Sequence, residues 1–168
     1  GPLALGDLDG DGTPELFAGG RVIPGRYPSA PDSRLFRFRS GRFEWERPLS
    51  APLAGLGMVS GAVFSDLRGE GRASLILACE WGALRIVRFE RETLVPWDPP
   101  VTQPDVADSS PMPLSQFSGA WNSVTTGDFD QDGRLDLVAG NAGRNTDRQR
   151  FLSHPLQLHF GEVIPGGA

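Results

Sequence analysis

Length, composition and charge exclude several classes of protein. The 168 residues are enough for one domain with a buried core, and 16 Lys and Arg against 21 Asp and Glu give a net charge of -5. Because the acidic excess lies around residues 7–15 and 128–136, nucleic acid is not expected as a partner. No run approaches the roughly 18 apolar residues of a membrane-spanning helix, so membrane insertion is not expected either.

In chain order, the sequence consists of three related units. Their first halves are "LALGDLDGDGTPELFAGG", "AVFSDLRGEGRASLILAC" and "SVTTGDFDQDGRLDLVAG". Aligning Asp7, Asp66 and Asp128 gives spacings of 59 and 62 residues. Each first half predicts a strand, a glycine-bearing loop and a second apolar strand. A predicted hairpin then follows in each unit: "RLFRFRSGRFEW" with a turn at Gly41, "ALRIVRFERETLVPW", and "LQLHFGEVIPGG" with a turn at Gly161.

The predicted fold class is all-β, because helical periodicity is scarce and 22 Gly with 15 Pro would interrupt helices. Four short strands per unit, repeated in series, favour β-propeller blades over a sandwich. We therefore expect a single propeller module over residues 1–168, with units at about 3–50, 58–98 and 119–168. It would contain three four-stranded antiparallel blades, as a partial propeller or as half of an oligomeric ring.

Three smaller features complete the predicted fold. "SLILACEW" in the second unit is apolar at nearly every position, as expected of a strand covered on both faces. Its Cys79 is the only cysteine, which excludes an intramolecular disulfide and predicts packing as a small apolar side chain. The arginines are scattered along the chain and are expected on solvated strand faces.

The first and third loops carry the pattern of a cation site. Carboxylates at positions one, three, five and nine can point inward on a tightly curled loop, and glycine at position six permits the sharp turn. A backbone carbonyl at position seven would complete an oxygen cage, for which calcium is the natural ion. We predict two calcium ions per chain. The candidate ligands are Asp7, Asp9, Asp11, Thr13 and Glu15 in the first loop, and Asp128, Asp130, Asp132, Arg134 and Asp136 in the third.

The second loop departs from this pattern. It has Asp66, Arg68, Glu70, Gly71 and Ser74 at the corresponding positions. Because a guanidinium replaces one ligand and a hydroxyl another, the loop at Asp66 is expected to hold no calcium. Arg68 is expected to pair with Asp66 or Glu70 instead.

Two alternatives to this type of calcium loop are an EF-hand-like site and a turn without metal. An EF-hand or a dockerin-type repeat needs an acid at position twelve and flanking helices, whereas position twelve is Ala18 or Ala139 here. A solvated acidic turn without metal stays open, since Asp and Gly favour turns on their own. Two loops with the same five-position pattern argue against it.

The loop sequences "GDLDGDGTPEL" and "GDFDQDGRLDLVAGN" resemble the calcium loops of FG-GAP, or VCBS, repeats. Such repeats build the seven-bladed propeller of integrin α subunits and many secreted bacterial propellers. "GGRVIPGRYP", "VSGAVFSDL" and "WNSVTTGDFDQDGRLDLVAGN" are most similar to bacterial VCBS-repeat proteins that often carry an ASPIC/UnbV domain, which has no counterpart in these residues.

This resemblance implies calcium in the loop between the first two strands of a blade, on the ten candidate ligands named above. It does not extend to the second loop, because of Arg68 and Ser74. The resemblance also implies an extracellular or cell-surface location, secreted or periplasmic in a bacterium.

The expected function is recognition, adhesion or scaffolding of a protein or glycan ligand, with structural calcium. Three blades are fewer than the roughly four to eight of a closed propeller, so we expect a homo-oligomer or a fragment of a longer propeller. An enzyme is not expected, because no nucleophile or phosphate-loop motif occurs. His154 and His159 lack metal-ligand spacing and are expected in surface or packing roles.

The tryptophans leave a second function open. Filling the core between blades is their expected role, but exposed indole rings would suit a carbohydrate-binding, lectin-type propeller. A fragment of a calcium-dependent polysaccharide lyase is a more distant alternative. The four tryptophans are Trp45, Trp81, Trp97 and Trp121.

Overall fold

The computed structural model describes residues 1–102 and 110–142, and this part of the chain is predominantly β. Strands account for 50% of the described residues and helices for 7%. The strands pair antiparallel throughout. The all-β prediction is therefore confirmed, while neither a closed ring nor three separate four-stranded blades are seen in the described residues. The first unit forms a four-stranded sheet, whereas strands of the second and third units join in one six-stranded sheet.

The first unit forms a four-stranded sheet in which each strand pairs with the next. Gly41 lies in the turn between the third and fourth strands with φ 81°, a left-handed conformation that favours glycine. A helical turn and a 3-10 turn then lead to the second unit. The elements are β1 (Leu3–Gly6), β2 (Glu15–Ala18), β3 (Arg34–Arg39), β4 (Arg42–Trp45), α1 (Arg47–Ser50) and the 3-10 turn Ala51–Leu53.

The second unit repeats this sequential antiparallel arrangement. Its second strand is the longest of the four, with 10 residues. The C-terminal end of this strand also pairs with the first strand of the third unit, where Ser118 lies opposite Ala83. The strands are β5 (Met58–Ser65), β6 (Ser74–Ala83), β7 (Arg85–Glu90) and β8 (Thr93–Trp97).

The third unit shows the same strand, loop and strand over its described part. The predicted hairpin at residues 156–167, with its turn at Gly161, lies outside the described residues, as do His154 and His159. The proline-rich connection before this unit contains a small two-stranded sheet. The elements are β9 (Pro100–Val101), β10 (Met112–Pro113), the 3-10 turn Leu114–Gln116, β11 (Ser118–Gly127) and β12 (Asp136–Asn141).

Alternate side chains of β6 belong to two different apolar cores, which confirms that this strand is covered on both faces. One core lies toward the first unit and the other toward the third, as in stacked blades. The first core contains Leu75, Leu77 and Cys79 of β6 with Leu8, Phe17 and Leu35. The second contains Ile76 and Ala78 of β6, against which Trp121, Val124 and Leu137 pack.

Cys79 and Gly61 show how tightly the units pack. The Cys79 side chain is buried, and burial raises the pKa of its thiol to about 11. This confirms the predicted packing role. Gly61 of β5 lies so close to β11 that a Cβ atom there would be 3.0 Å from Ser123 Cα. Glycine therefore permits the close approach of the second and third units.

Positions that are buried between units are exposed at the outer faces of the first and third units, where no other unit of the described part of the chain covers them. Phe17 and Ile76 occupy the same place in their units and are fully buried, whereas the equivalent Val138 is 50% exposed. Leu8 is also buried, whereas the equivalent Phe129 is exposed. The face that the third unit turns away from the second is thus partly apolar and open.

The opposite face of the first unit shows the same contrast. Phe43 of β4 is 40% exposed, whereas Leu94, its equivalent in β8, is 4% exposed. Leu5 of β1 is 58% exposed, whereas the equivalent Phe64 packs against the first core. Both outer faces therefore carry exposed apolar side chains at positions whose equivalents in another unit are wholly or partly buried against an adjacent unit.

Candidate metal centre

The three loops share one backbone geometry, whether or not calcium is predicted in them. In each loop, the aspartate at position one accepts a hydrogen bond from the backbone N–H of the position-six glycine. These glycines have φ between 75° and 84°, a region that residues with a Cβ atom rarely adopt. The N···O distances are 2.9 Å from Gly12 to Asp7, 2.6 Å from Gly71 to Asp66 and 3.0 Å from Gly133 to Asp128.

Within the first and third loops, the acids at positions one, three and nine converge. One carboxylate oxygen from each lies within 4.8 Å of the others, in Asp7, Asp9 and Glu15 and again in Asp128, Asp130 and Asp136. We call these sets the first and third triads. The position-nine acid closes each loop, because Glu15 accepts the N–H of Leu8 at 2.9 Å and Asp136 accepts that of Phe129 at 2.9 Å.

The other candidate ligands make contacts within the loop. Asp11 accepts the backbone N–H of Thr13 at 2.7 Å, and Asp132 accepts that of Arg134 at 2.8 Å. The acids at position five are not members of the triads. Each instead accepts the backbone N–H of the residue at position seven, the residue whose carbonyl is the predicted ligand.

Glu15 is the most deeply buried member of the triads. Burial raises its pKa above the ordinary value, the charges of Asp9 and Asp11 add to the rise, and the Leu8 N–H and Arg37 oppose it. Its Oε1 atom is buried and accepts no hydrogen bond. A buried carboxylate oxygen with free lone pairs beside two other carboxylates is what a cation ligand requires.

Arg37 is a neighbour of the first triad that the sequence analysis missed. Its prediction on a solvated strand face is wrong, because cross-strand pairing of β2 and β3 places it opposite Glu15. Its Nη2 atom donates to Asp9 Oδ2 at 2.6 Å, and its Nε atom lies 3.1 Å from Glu15 Oε1. The side chain is 21% exposed, so this guanidinium is partly desolvated between the two acids.

In the second loop, Arg68 pairs with Glu70, with Nη2 and Oε1 2.6 Å apart, as predicted. Asp66 is still present at position one of this loop. Desolvation raises its pKa, but hydrogen bonds from the backbone N–H groups of residues 68–71 outweigh that effect, so the pKa lies below its ordinary value. Position nine is Ser74, which is buried. The loop therefore keeps its turn while its position-three side chain is a cation of the chain itself.

The first and third loops fit a hard cation. The converging side-chain atoms of each triad are carboxylate oxygens, the donor type that calcium and magnesium prefer. Calcium tolerates irregular geometry and several carboxylates, whereas magnesium demands a near-ideal octahedron. Calcium is thus the better fit for a loop of this shape.

The tryptophans do not occupy equivalent places. Trp97 and Trp121 pack against the second core. Trp45 is 42% exposed, and the guanidinium groups of Arg34 and Arg47 lie 4.7 Å and 4.6 Å from its ring centre. The expected core role therefore fits Trp97 and Trp121 but not Trp45.

The third unit has a match among known protein families. Residues 120–150 match the family model of the FG-GAP repeat. This stretch of the chain is similar to an FG-GAP repeat. The match includes the whole third loop and β12, and it confirms the resemblance to FG-GAP repeats for this unit. The likeness to VCBS-repeat proteins that carry an ASPIC/UnbV domain stays a prediction. Comparisons with curated proteins and with solved structures each gave no match.

The comparisons and the structure thus show an all-β chain of antiparallel sheets with a match to the FG-GAP repeat in its third unit. None of the helices in the described part of the chain is long and apolar enough to cross a membrane.

Proposed function

We propose that this chain is a calcium-stabilised β-propeller module that serves recognition, adhesion or scaffolding rather than catalysis. The observation that carries the proposal is the repeated triad: two loops at the same place in their units bring three carboxylates within 4.8 Å. Clustered acids repel one another unless a cation neutralises them, so calcium here would be structural. An extracellular or cell-surface location, where calcium is plentiful, suits such a role.

Counting bound ions tests this proposal. Protein freed of metal and then dialysed against calcium should carry two ions per chain, measured by elemental analysis against protein concentration. Asp9→Ala and Asp130→Ala should each reduce the count to one, because each removes one triad member. A count of zero in the wild-type protein contradicts the proposal, and a count of three contradicts the expectation that the second loop stays empty.

The open outer faces support a role in a larger assembly. We propose that another blade covers them, supplied either by a second copy of the chain or by a longer propeller. Their exposed positions correspond to positions that are buried between the first, second and third units, so the occupant is expected to be a similar sheet. Propellers close with about four to eight blades, which three units do not reach.

Light scattering over a range of concentrations tests the first of these arrangements. The wild-type chain should self-associate, and Leu5→Lys should weaken the association by placing a charge on the outer face of the first unit. Val22→Lys is the matched control, since Val22 is similarly exposed at 50% but lies in the segment between β2 and β3. A monomeric mass at every concentration would leave only the longer propeller.

Glycan binding is the second candidate function. It is favoured by one surface cluster around Tyr27, which is 51% exposed. The Tyr27 hydroxyl donates a hydrogen bond to Glu80 at 3.1 Å and accepts one from the indole N–H of Trp81. Arg21 forms an ion pair with Glu80 at 2.8 Å. Aromatic rings beside polar groups are suited to sugars. A glycan array should then show binding that Tyr27→Ala abolishes and Trp121→Ala leaves intact. Background signal from all three proteins would remove this candidate.

A further inference from the structure

We propose that Arg37 sets the calcium affinity of the first loop, because its guanidinium forms ion pairs with two of the carboxylates that the ion requires. The third loop would consequently fill at a lower calcium concentration than the first. This inference rests on the proposed function, since it assumes that both triads bind calcium.

The contacts of Arg37 involve two of the three members of the first triad. Its Nη2 atom donates a charge-assisted hydrogen bond to Asp9 at 2.6 Å, and its Nε atom faces the buried Oε1 of Glu15 at 3.1 Å without a hydrogen bond. Calcium binds oxygen at about 2.3–2.6 Å, so an ion among these oxygens would lie close to the guanidinium. Two positive charges at such short range repel strongly in a partly buried site.

The third triad has no such competitor among the described residues. Asp128, Asp130 and Asp136 accept hydrogen bonds from backbone N–H groups only, and within residues 1–102 and 110–142 they form no ion pair with an arginine. Asp128 and Asp130 are also exposed, whereas Glu15 of the first triad is buried. Among the described residues, an ion entering the third loop therefore has no arginine to displace.

Arg37 has room to withdraw from the first triad. It lines a groove of about 430 Å³ between the first and second units, whose walls include Glu46 and Glu92. Glu92 is a potential partner for a displaced guanidinium, whereas Glu46 already pairs with Arg39 at 2.8 Å. Calcium binding in the first loop thus exchanges one cation for another. The free energy of calcium binding is reduced by the interaction energy that Arg37 loses when it leaves Asp9 and Glu15.

Single-loop variants separate the two affinities. Asp130→Ala leaves only the first loop intact, and Asp9→Ala leaves only the third; each is titrated with calcium chloride by isothermal calorimetry. The first loop is expected to bind at least about tenfold more weakly than the third, in keeping with the strength of hydrogen bonds to charged groups.

A second substitution addresses Arg37 directly. In the Asp130→Ala background, Arg37→Gln should tighten calcium binding by about tenfold, since it removes the competing charge. Arg39→Gln is the matched control: it removes the same charge from the same face of β3, but Arg39 pairs with Glu46 at 2.8 Å and contacts no triad member. The control should change affinity by less than about twofold, as expected of an exposed pair.

The outcomes distinguish this inference from the proposed function. Absence of binding in both single-loop variants and in the wild-type protein would defeat the proposed function itself. Binding with equal affinity in the two loops, or an Arg37→Gln effect no larger than that of Arg39→Gln, would overturn the role of Arg37 and leave calcium binding intact. If Arg37→Gln fails to fold, the comparison of the two single-loop variants decides the question alone.

Discussion

Neutralising Asp130 should stabilise the metal-free protein and weaken its response to calcium. The carboxylate oxygens of the third triad lie within 4.8 Å of one another, and two of its residues are exposed to water. Two unit charges at this distance repel by about 0.9 kcal/mol in a water-like dielectric, which gives about 2.6 kcal/mol for three pairs. Asp130→Asn removes two of the pairs, about 1.7 kcal/mol, and keeps the oxygen that accepts the N–H of Asp132 at 3.1 Å.

Thermal unfolding followed by circular dichroism measures this effect. For a domain of this size, 1 kcal/mol corresponds to roughly 2–4 °C, so Asp130→Asn should raise the Tm in chelator by about 3–7 °C. In calcium the order should reverse, because the wild-type protein gains binding energy that the variant has largely lost. Glu44→Gln, the same charge change at an exposed ion pair with Arg42, should shift the Tm by no more than about 2 °C.

Two results would refute the reasoning. A wild-type Tm that is the same in chelator and in calcium would show that no ion stabilises the fold. A lower Tm for Asp130→Asn than for the wild-type protein in chelator would show that the carboxylates do not repel one another in the metal-free loop.

Three further predictions concern the packing and the loops outside the triads. Gly61→Ala should lower the urea midpoint by the equivalent of about 1–3 kcal/mol, because its Cβ would be 3.0 Å from Ser123 Cα; an unchanged midpoint would contradict this close approach. Cys79, with a pKa of about 11 and a buried side chain, should resist a thiol reagent at pH 8 until the chain is unfolded in urea, and prompt labelling would contradict its burial. The Asp98 carboxylate accepts hydrogen bonds from Ser115, which lower its pKa below 3.8, so its contribution to stability is present above that pH and lost as pH falls further. Asp98→Asn should therefore flatten the acid limb of the stability curve, and an unaltered limb would count against this pair.

The strands and loops could be predicted because their signals are local. The turn chemistry of "DGDG" and "DQDG", the apolar runs after them and the position of Gly41 each depend on neighbours in sequence. The double-sided burial of β6 could also be predicted, because a strand that is apolar at successive positions has no solvent face.

The environment of Arg37 could not be predicted, since it depends on strand register. A shift of one residue between β2 and β3 would have moved Arg37 to the other face of the sheet. Trp45 and Trp97 illustrate the same limit: both lie in the fourth strand of their unit, yet one pairs with Phe36 and the other with Ile86, on opposite faces of equivalent sheets. Sequence spacing alone made them look equivalent.

The second loop separates the residues that shape the turn from those that would hold an ion. Asp66 keeps the hydrogen bond to the position-six glycine that Asp7 and Asp128 also make, so an acid at position one serves the turn itself. Positions three and nine are Arg68 and Ser74, so the fold does not need carboxylates there. In the other two loops, the acids at both positions accept backbone N–H groups and also supply the converging oxygens that the proposed cation would need.

The three loops then form a series in how the chain supplies positive charge. In the second loop, the guanidinium of Arg68 belongs to the loop and pairs with Glu70. In the first, the guanidinium of Arg37 enters from the adjacent strand and can withdraw into a groove. In the third, within the described residues, no guanidinium pairs with the triad. If an arginine and a calcium ion compete for the same oxygens, calcium affinity should rise in this order, and the loop with an internal arginine should be the one that stays empty at any physiological concentration.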